Sequence, residues 1–145
     1  MMTLIITDWL FTCPSRHIAS SLSYYSVESR LYQFLYEPVF DPFNSGFPNC
    51  NNRSAACHAV EIPYTFHTGD FCPGFRFSSS ENLLSWKTFE LWSNFSKSLS
   101  LIVDGIVWIP YDITTRFSLL MDVPKFKFDL GYLNSKCDFW NSLLK

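Results

Sequence analysis

The sequence predicts one folding unit of mixed architecture, either α/β or α+β. The chain has 145 residues, of which 48% are hydrophobic and 17% are charged, so it is long and apolar enough to build one core. Segments with helical periodicity alternate with short runs rich in Tyr, Phe and Ile, in the order helix, strand, loop, helix, strands, helix. No repeat or linker divides the chain, and we therefore expect a single domain over residues 1–145.

Three segments are predicted in the first third of the chain. Residues 7–23 have apolar side chains at helical spacing and predict a helix with a break at Pro14. Residues 30–37 (RLYQFLYE) are rich in Tyr, Phe and Leu, end before Pro38 and predict a strand. Residues 40–53 (FDPFNSGFPNCNNR) are dense in Pro, Asn and Gly and predict a loop.

The strongest helix signal lies after residue 77. Ser78 and Glu81 have the S-x-x-E spacing of a capping box, which predicts that a helix begins there. We expect the aromatic side chains from Trp86 to Phe95 to pack in the core. The expected apolar face of this helix comprises Leu84, Leu91, Trp92, Phe95 and Leu99, and the expected polar face comprises Lys87, Glu90, Asn94 and Lys97.

The remaining elements are short. Residues 106–110 and 116–123 predict strands joined by a turn through Asp112, and residues 137–144 predict a closing helix of one or two turns.

Charge and hydropathy exclude two classes of partner. The net charge of -2 provides no electrostatic surface for phosphate backbones, so we expect no nucleic-acid binding. The longest apolar stretch, residues 99–111, is interrupted and too short to span a bilayer. Residues 1–11 lack a basic segment and contain Asp8, so we expect no membrane span and no signal peptide in this chain.

The cysteines and two sequons indicate an oxidising compartment. Five cysteines are an odd number, which suggests two bridges and one spare thiol. The sequons at Asn52 and Asn94 are possible glycosylation sites, and we expect both side chains to be exposed to solvent.

Several kinds of active site are excluded by spacing. No glycine pair brackets a serine in a G-x-S-x-G motif, and no glycine-rich phosphate loop is present. A zinc site is also considered and set aside, because its candidate ligands lack C-x-x-C spacing, and we expect neither a metal nor a cofactor. Those candidates are Cys50, Cys57, His58, His67 and Cys72.

Residues 57–66 (CHAVEIPYTF) resemble the histidine segment of the carboxylesterase type B (cholinesterase-like) family of α/β-hydrolases. Further segments resemble landmarks of this family in the same order. They are residues 8–16 (DWLFTCPSR), 31–34 (LYQF), 92–97 (WSNFSK), 108–112 (WIPYD) and 136–140 (KCDFW). The resemblance covers nearly the whole chain but only the last quarter or so of the family's catalytic domain. It implies an α/β fold made of helices packed on a few strands of a truncated sheet.

The resemblance implies that His58 is the histidine of a catalytic triad, which accepts the proton of a serine and returns it to the leaving group. The serine, the oxyanion-hole glycines and the acid would belong to sequence upstream of the matched quarter. The carboxylates that precede His58, namely Asp8, Glu28, Glu37 and Asp41, do not match the family's acid segment. We therefore expect the chain alone to be inactive, and to act on a carboxylic ester only together with an N-terminal partner fragment.

Two supporting roles stay open. Glu61 either orders the loop beneath His58 or pairs with a nearby positive group, while His17 and His67 are expected to be structural. The sequence departs from the family at Ala59, where glycine is common, and at residues 98–100 (SLS), which replace a G-x-P turn.

The resemblance also implies a disulfide between Cys13 and Cys137, and we add Cys50 with Cys57 as a second pair, leaving Cys72 free. It implies an extracellular or secretory location. The alternative function, from a different class, is a non-catalytic adhesion or interaction protein, because cholinesterase-like proteins of that class share the fold.

Overall fold

A computed structural model of the chain describes residues 2–38, 40, 56–69, 76–98 and 100–143. The helices are α1 (Met2–Thr7), α2 (Cys13–Tyr24), α3 (Ile62–Thr65), α4 (Ser79–Ser96) and α5 (Asn134–Leu143). The strands are β1 (Tyr32–Phe34), β2 (Ile102–Val103), β3 (Ile106–Val107), β4 (Phe117–Met121) and β5 (Lys127–Leu130).

A π-helical turn over Asp8–Thr12 joins α1 and α2. The Cys13 N–H donates to the Asp8 carbonyl five residues earlier, immediately before Pro14. Proline has no N–H, and its ring clashes with a carbonyl four residues back, so a widened turn before it relieves both problems. The predicted break therefore takes the form of a wide turn, and the helical path starts at Met2 rather than at residue 7.

The larger sheet has the strand order β1-β4-β5. The Leu119 N–H donates to the Leu31 carbonyl (3.0 Å) and the Leu35 N–H donates to the Met121 carbonyl (2.9 Å), so β1 and β4 run parallel. Strand β5 follows β4 after a short connection, which requires an antiparallel pair. Strand β1 is shorter than the predicted strand over 30–37, whereas β4 lies within the predicted strand over 116–123.

Strands β2 and β3 form a hairpin that the sequence analysis did not identify. They pair antiparallel, with Val103 opposite Ile106. Asp104 (φ 50°) and Gly105 (φ 78°) both have positive φ, as the two central residues of a type I′ turn require. The Asp-Gly pair is a strong hairpin signal, and it was available in the sequence.

The capping box at the start of α4 is confirmed. The Glu81 N–H donates to Ser78 Oγ (3.3 Å), and the Ser78 N–H donates to Glu81 Oε2 (2.9 Å). The turn through Asp112 is present too. Asp112 Oδ1 accepts hydrogen bonds from the backbone N–H groups of Thr114 and Thr115, and these bonds lower the pKa of Asp112.

The predicted faces of α4 need correction. The buried residues of this helix are Glu81, Leu84, Ser85, Thr88 and Leu91. Trp86 is 52% exposed and Phe95 is 41% exposed, so the expectation that these aromatic side chains are core residues was wrong. Leu84 and Leu91 of the expected apolar face are buried, but Ser85 and Thr88 share the inward face with them. The hydroxyls of these two residues are satisfied there by the carbonyls of Tyr64 and Leu84.

The chain divides into two compact units. The first unit consists of Met1–Tyr32, Ile109–Leu119 and Phe128–Lys145. Within it, a disulfide joins Cys13 of α2 to Cys137 of α5, with Cα atoms 5.2 Å apart, so the bridge implied by the family resemblance is confirmed. The buried Arg16 side chain donates to the Tyr132 carbonyl (3.2 Å) and to the Asn134 side chain.

The second unit consists of Gln33–Trp108 and Leu120–Lys127. Its core includes Val60, Tyr64 and Leu84, all at most 2% exposed. Helix α3 packs closely on α4 in this unit. This pairing holds α3, which begins four residues after His58, against α4.

Candidate functional site

His58 lies in a tight turn that leads into α3. The Val60 N–H donates to the Cys57 carbonyl (3.2 Å), and the Ile62 N–H donates to the Ala59 carbonyl (3.1 Å). His58 is exposed, while Val60, two residues on, is 2% exposed. The turn therefore anchors itself in the core through Val60 and presents the imidazole at the surface, where a second group could reach it.

Ala59 adopts a left-handed conformation, with φ 66°. This region strongly favours glycine, because a Cβ atom is crowded there. Alanine, where glycine is common in the family, therefore places a Cβ atom in a crowded position. The turn nevertheless forms.

Cys57, immediately before His58, is disulfide-bonded. The expected partner, Cys50, lies outside the described residues, as does Cys72, so the second pairing stays a prediction. Covalent attachment at Cys57 restrains the N-terminal end of the turn that carries His58.

Tyr64 lies in α3, the helix that follows this turn. It is fully buried, and its ring lies 4.7 Å from the Phe77 ring and 5.3 Å from the Phe34 ring, centroid to centroid. Its hydroxyl donates to Glu81 Oε1 (3.2 Å), and its carbonyl accepts from Ser85 Oγ (3.0 Å). Packing and two hydrogen bonds therefore fix the position of α3 on α4.

Glu61 is half-buried between His58 and α3. Its carbonyl accepts from the N–H groups of Tyr64 (3.1 Å) and Thr65 (2.9 Å), while its side chain makes no capping hydrogen bond to the helix. The backbone of Glu61 thus starts α3. The two roles considered for its carboxylate both remain predictions.

The other histidines have different surroundings. His67 Nδ1 lies 2.8 Å from Ser85 Oγ, and the His67 ring lies 4.3 Å from the Trp86 ring. Since the Ser85 hydroxyl donates to the Tyr64 carbonyl, the Nδ1–H of His67 must be the donor to Ser85. These contacts support a structural role for His67, whereas His17 is exposed on α2.

The candidate acids that precede His58 are engaged elsewhere or lie outside the described residues. Asp8 is buried and pairs with Lys136 (3.3 Å), and Glu28 pairs with Arg30 (2.5 Å). Glu37 is exposed, and Asp41 lies outside the described residues. The contacts of Asp8 and Glu28 are those of structural ion pairs.

Of the two sequons, only Asn94 lies within the described residues. Its side chain is half-buried in the last turn of α4, not fully exposed as expected. Asn94 follows the buried Leu91 by three residues, so it lies on the edge of the inward-facing stripe. Asn52 lies outside the described residues.

Two kinds of feature are absent from the described residues. No described helix is both long and apolar enough to cross a membrane. Across the same ranges, no three His, Cys, Asp or Glu side chains come together as a possible metal site.

The sequence points to His58 as a candidate residue. It does not point to the side chains whose contacts fix the turn around His58. The S-x-x-E motif predicted the cap formed by Ser78 and Glu81, yet nothing in that spacing shows that Glu81 is buried and also binds Tyr64. Ser85 and its link to His67 carry no motif at all.

Comparisons with known proteins agree with this architecture. The sequence model of the carboxylesterase family matches residues 1–140. The chain is 30% identical to the "Crystal protein" of Dictyostelium discoideum, covering 99% of this chain and 26% of that protein. It is 25% identical to "Acetylcholinesterase-1" of Trittame loki, covering 94% of this chain and 23% of that protein.

The fold has solved counterparts. A structure of PNB esterase superposes with a TM-score of 0.72 at 23% identity, covering 92% of this chain and 25% of the esterase. This similarity confirms the expected fold class, an α/β fold that forms part of an α/β-hydrolase. The chain spans about a quarter of the length of the relatives it matches. With the family match over residues 1–140, these similarities show that the chain belongs to the carboxylesterase family.

Proposed function

We propose that residues 1–145 are the C-terminal part of a carboxylic ester hydrolase domain and that His58 is its general base and general acid. The observation that carries the proposal is the position of His58. It is an exposed histidine in a family-matched segment, on a turn that is anchored on both sides by Cys57 and by the buried Val60. A catalytic base needs such a fixed and accessible imidazole.

His58 would act in both halves of ester hydrolysis. It takes the proton of a serine hydroxyl as the serine oxygen attacks the ester carbonyl carbon, and it gives this proton to the leaving alcohol oxygen when the acyl-serine forms. It then removes a proton from water, which attacks the acyl group, and returns that proton to the serine as the carboxylic acid leaves. No step requires a cofactor.

The serine, the acid and the oxyanion donors would come from an N-terminal partner fragment or an upstream segment. The described part of the first unit supports this, because large apolar side chains of its helices are exposed, among them Trp9 (50%) and Phe11 (51%). A surface of this kind is typical of a protein contact. Without that partner, His58 has no nucleophile to deprotonate, and the chain alone would be inactive.

The proposal includes a role for Glu61 and a secretory location. Glu61 would order the turn under His58 through its carboxylate, close to where its backbone already starts α3. The disulfides at Cys13, Cys137 and Cys57 support an oxidising compartment, where Asn52 and Asn94 could carry glycans. To test for glycans, the unchanged chain and the variants Asn52→Gln and Asn94→Gln are expressed in a secretory host and treated with a glycosidase. A loss of mass by the unchanged chain shows a glycan, and a smaller loss by one variant identifies the asparagine that carries it.

The test of activity is a chimera. The matching C-terminal quarter of PNB esterase is replaced by this chain, and hydrolysis of short-chain p-nitrophenyl esters is measured beside that of the isolated chain. We expect the isolated chain to be inactive and the chimera to be active. His58→Ala should abolish the activity, and His17→Ala, which removes an exposed histidine of α2, should leave it unchanged.

Two results would overturn the proposal. Hydrolysis by the isolated chain that His58→Ala abolishes would mean that the chain holds a complete site. A folded chimera that does not use His58 would also overturn it: absence of activity would favour the non-catalytic adhesion or interaction protein, and activity unchanged by His58→Ala would exclude His58 as the general base.

A further inference from the structure

The Glu81 carboxylate is buried and makes a hydrogen bond that does not belong to the capping box. Its side chain is 1% exposed, although a capping-box glutamate works equally well at the surface. Burial of a carboxylate is expensive unless hydrogen bonds replace its water. A buried glutamate in this position therefore needs hydrogen bonds that offset the loss of water from its carboxylate.

The two carboxylate oxygens of Glu81 have separate tasks. Oε2 accepts from the Ser78 N–H (2.9 Å) and from the Ser78 hydroxyl (2.6 Å), which completes the cap. Oε1 accepts from the Tyr64 hydroxyl (3.2 Å), which belongs to α3. The second contact is the one that requires burial, because Tyr64 is itself fully buried.

Ser85, one helical turn after Glu81, also forms a hydrogen bond with Tyr64. Its hydroxyl, on a fully buried side chain, donates to the Tyr64 carbonyl (3.0 Å). Residues four apart lie on one face of a helix, so Glu81 and Ser85 hold Tyr64 at its hydroxyl and at its carbonyl. Two such points fix both the position and the rotation of a helix as short as α3.

An unbroken series of backbone hydrogen bonds links Tyr64 to the turn of His58. The Tyr64 N–H donates to Glu61, the Ile62 N–H donates to Ala59, and the Val60 N–H donates to Cys57 (3.1, 3.1 and 3.2 Å). A shift of Tyr64 is therefore passed back to the residues on either side of His58.

We infer that Glu81 and Ser85 are positioning residues, which set the place of the His58 imidazole through Tyr64. This inference rests on the proposed function, in which His58 moves a proton to and from a serine oxygen. Proton transfer requires hydrogen-bond geometry between the two groups, and small displacements lower the rate steeply. Neither residue touches the reacting atoms.

The test uses three variants in the PNB esterase chimera. Tyr64→Phe removes the hydroxyl but keeps the packed ring, and Glu81→Gln keeps an oxygen for the cap but removes the charge. Ser78→Ala is the matched control, because it weakens the same cap without a direct contact to Tyr64. We expect Tyr64→Phe and Glu81→Gln to lower kcat at least fivefold with KM changed less than twofold, and Ser78→Ala to leave kcat within twofold of the unchanged chimera.

A second measurement on the isolated chain separates this inference from the proposed function. Nuclear magnetic resonance of the three imidazole side chains should show a shifted or broadened His58 signal in Tyr64→Phe and Glu81→Gln but not in Ser78→Ala, with His17 as the internal reference. An unchanged His58 signal in the first two variants overturns the inference. An equal fall of kcat in all three variants also overturns the inference, even if His58→Ala shows that His58 is needed for catalysis.

Discussion

Lys87 of α4 places its Nζ atom 2.6 Å from Oδ1 of Asp104, the first turn residue of the β2–β3 hairpin. The other carboxylate oxygen of Asp104 accepts from the Phe126 N–H (2.7 Å). One side chain thus joins the helix, the hairpin and the segment before β5 within the second unit.

This contact predicts an acid-sensitive contribution to stability. Burial raises the pKa of Asp104, but hydrogen bonds from Lys87 and Phe126 and the positive charges of Lys87 and Lys125 together outweigh it, so that the pKa lies below its ordinary value of 3.8. A carboxylate whose pKa is lowered by folding stabilises the fold above its unfolded-state pKa, and this stabilisation is lost as the pH falls through the folded-state pKa. Asp104→Asn should therefore lower the free energy of unfolding at pH 7 and have little effect near pH 2. Urea unfolding at both values measures this. Since asparagine also suits the first position of a type I′ turn, an equal loss at both values would contradict the charge effect.

Ala59→Gly should stabilise the chain. Glycine removes the crowding of a Cβ atom at positive φ, which costs about 1–2 kcal/mol, while its freedom in the unfolded chain offsets about 0.4–1 kcal/mol of this gain. The expected net increase in the free energy of unfolding is about 0 to 1.6 kcal/mol, measured by urea unfolding. Ala19→Gly, a buried position within α2, is the matched control and should lose about 1 kcal/mol or more. A loss in both variants would contradict the left-handed assignment of Ala59.

Removal of the Cys13–Cys137 disulfide should destabilise the first unit by about 2–5 kcal/mol, because the bond closes a loop with a sequence separation of 124 residues and restricts the unfolded chain. Cys13→Ala, Cys137→Ala and the double variant should show similar losses, since all three lack the same bond. Unfolding in urea without reductant measures the loss. A single variant much less stable than the other would indicate a role for its cysteine beyond the bridge, and a double variant much less stable than either would indicate such a role for both.

Asn134→Asp should stabilise the first unit by about 1 kcal/mol at neutral pH. Asn134 Oδ1 accepts from Arg16 and from Arg116 (2.9 Å), and Asn134 is the first residue of α5. A carboxylate there would meet two guanidinium groups and the positive end of a helix. Both lower the pKa of the introduced carboxyl group, so the gain should disappear as the pH falls below about 4. Asn134→Ala, which provides no acceptor, should destabilise at every pH tested.

Two features that follow from short sequence patterns were predicted correctly. The capping box at Ser78 predicted the start of α4, and the family resemblance predicted the bond between Cys13 and Cys137, while the role that it implies for His58 stays a prediction. The Asp104-Gly105 turn obeys an equally local rule, and the missed hairpin was therefore predictable.

Burial could not be predicted in the same way. Hydrophobicity favoured Trp86 for the core over Ser85 and Thr88, yet Trp86 is exposed and the other two are buried. Ser85 and Thr88 are satisfied there by the carbonyls of Tyr64 and Leu84 (3.0 and 2.9 Å). Such partners depend on tertiary contacts, which periodicity along the sequence does not contain. The hydrogen bond from Tyr64 to Glu81 could not be predicted for the same reason.

The bond between Cys13 and Cys137 turns the chain between these cysteines into a covalent ring, and of the 145 residues here, 1–12 and 138–145 lie outside it. A protease that cuts the ring once opens it but releases no fragment, and the two pieces separate only after reduction. A polypeptide joined ahead of residue 1 would enter beside this ring and remain attached to both pieces after such a cut. The segment that carries His58 would therefore stay tethered to that polypeptide even in nicked protein.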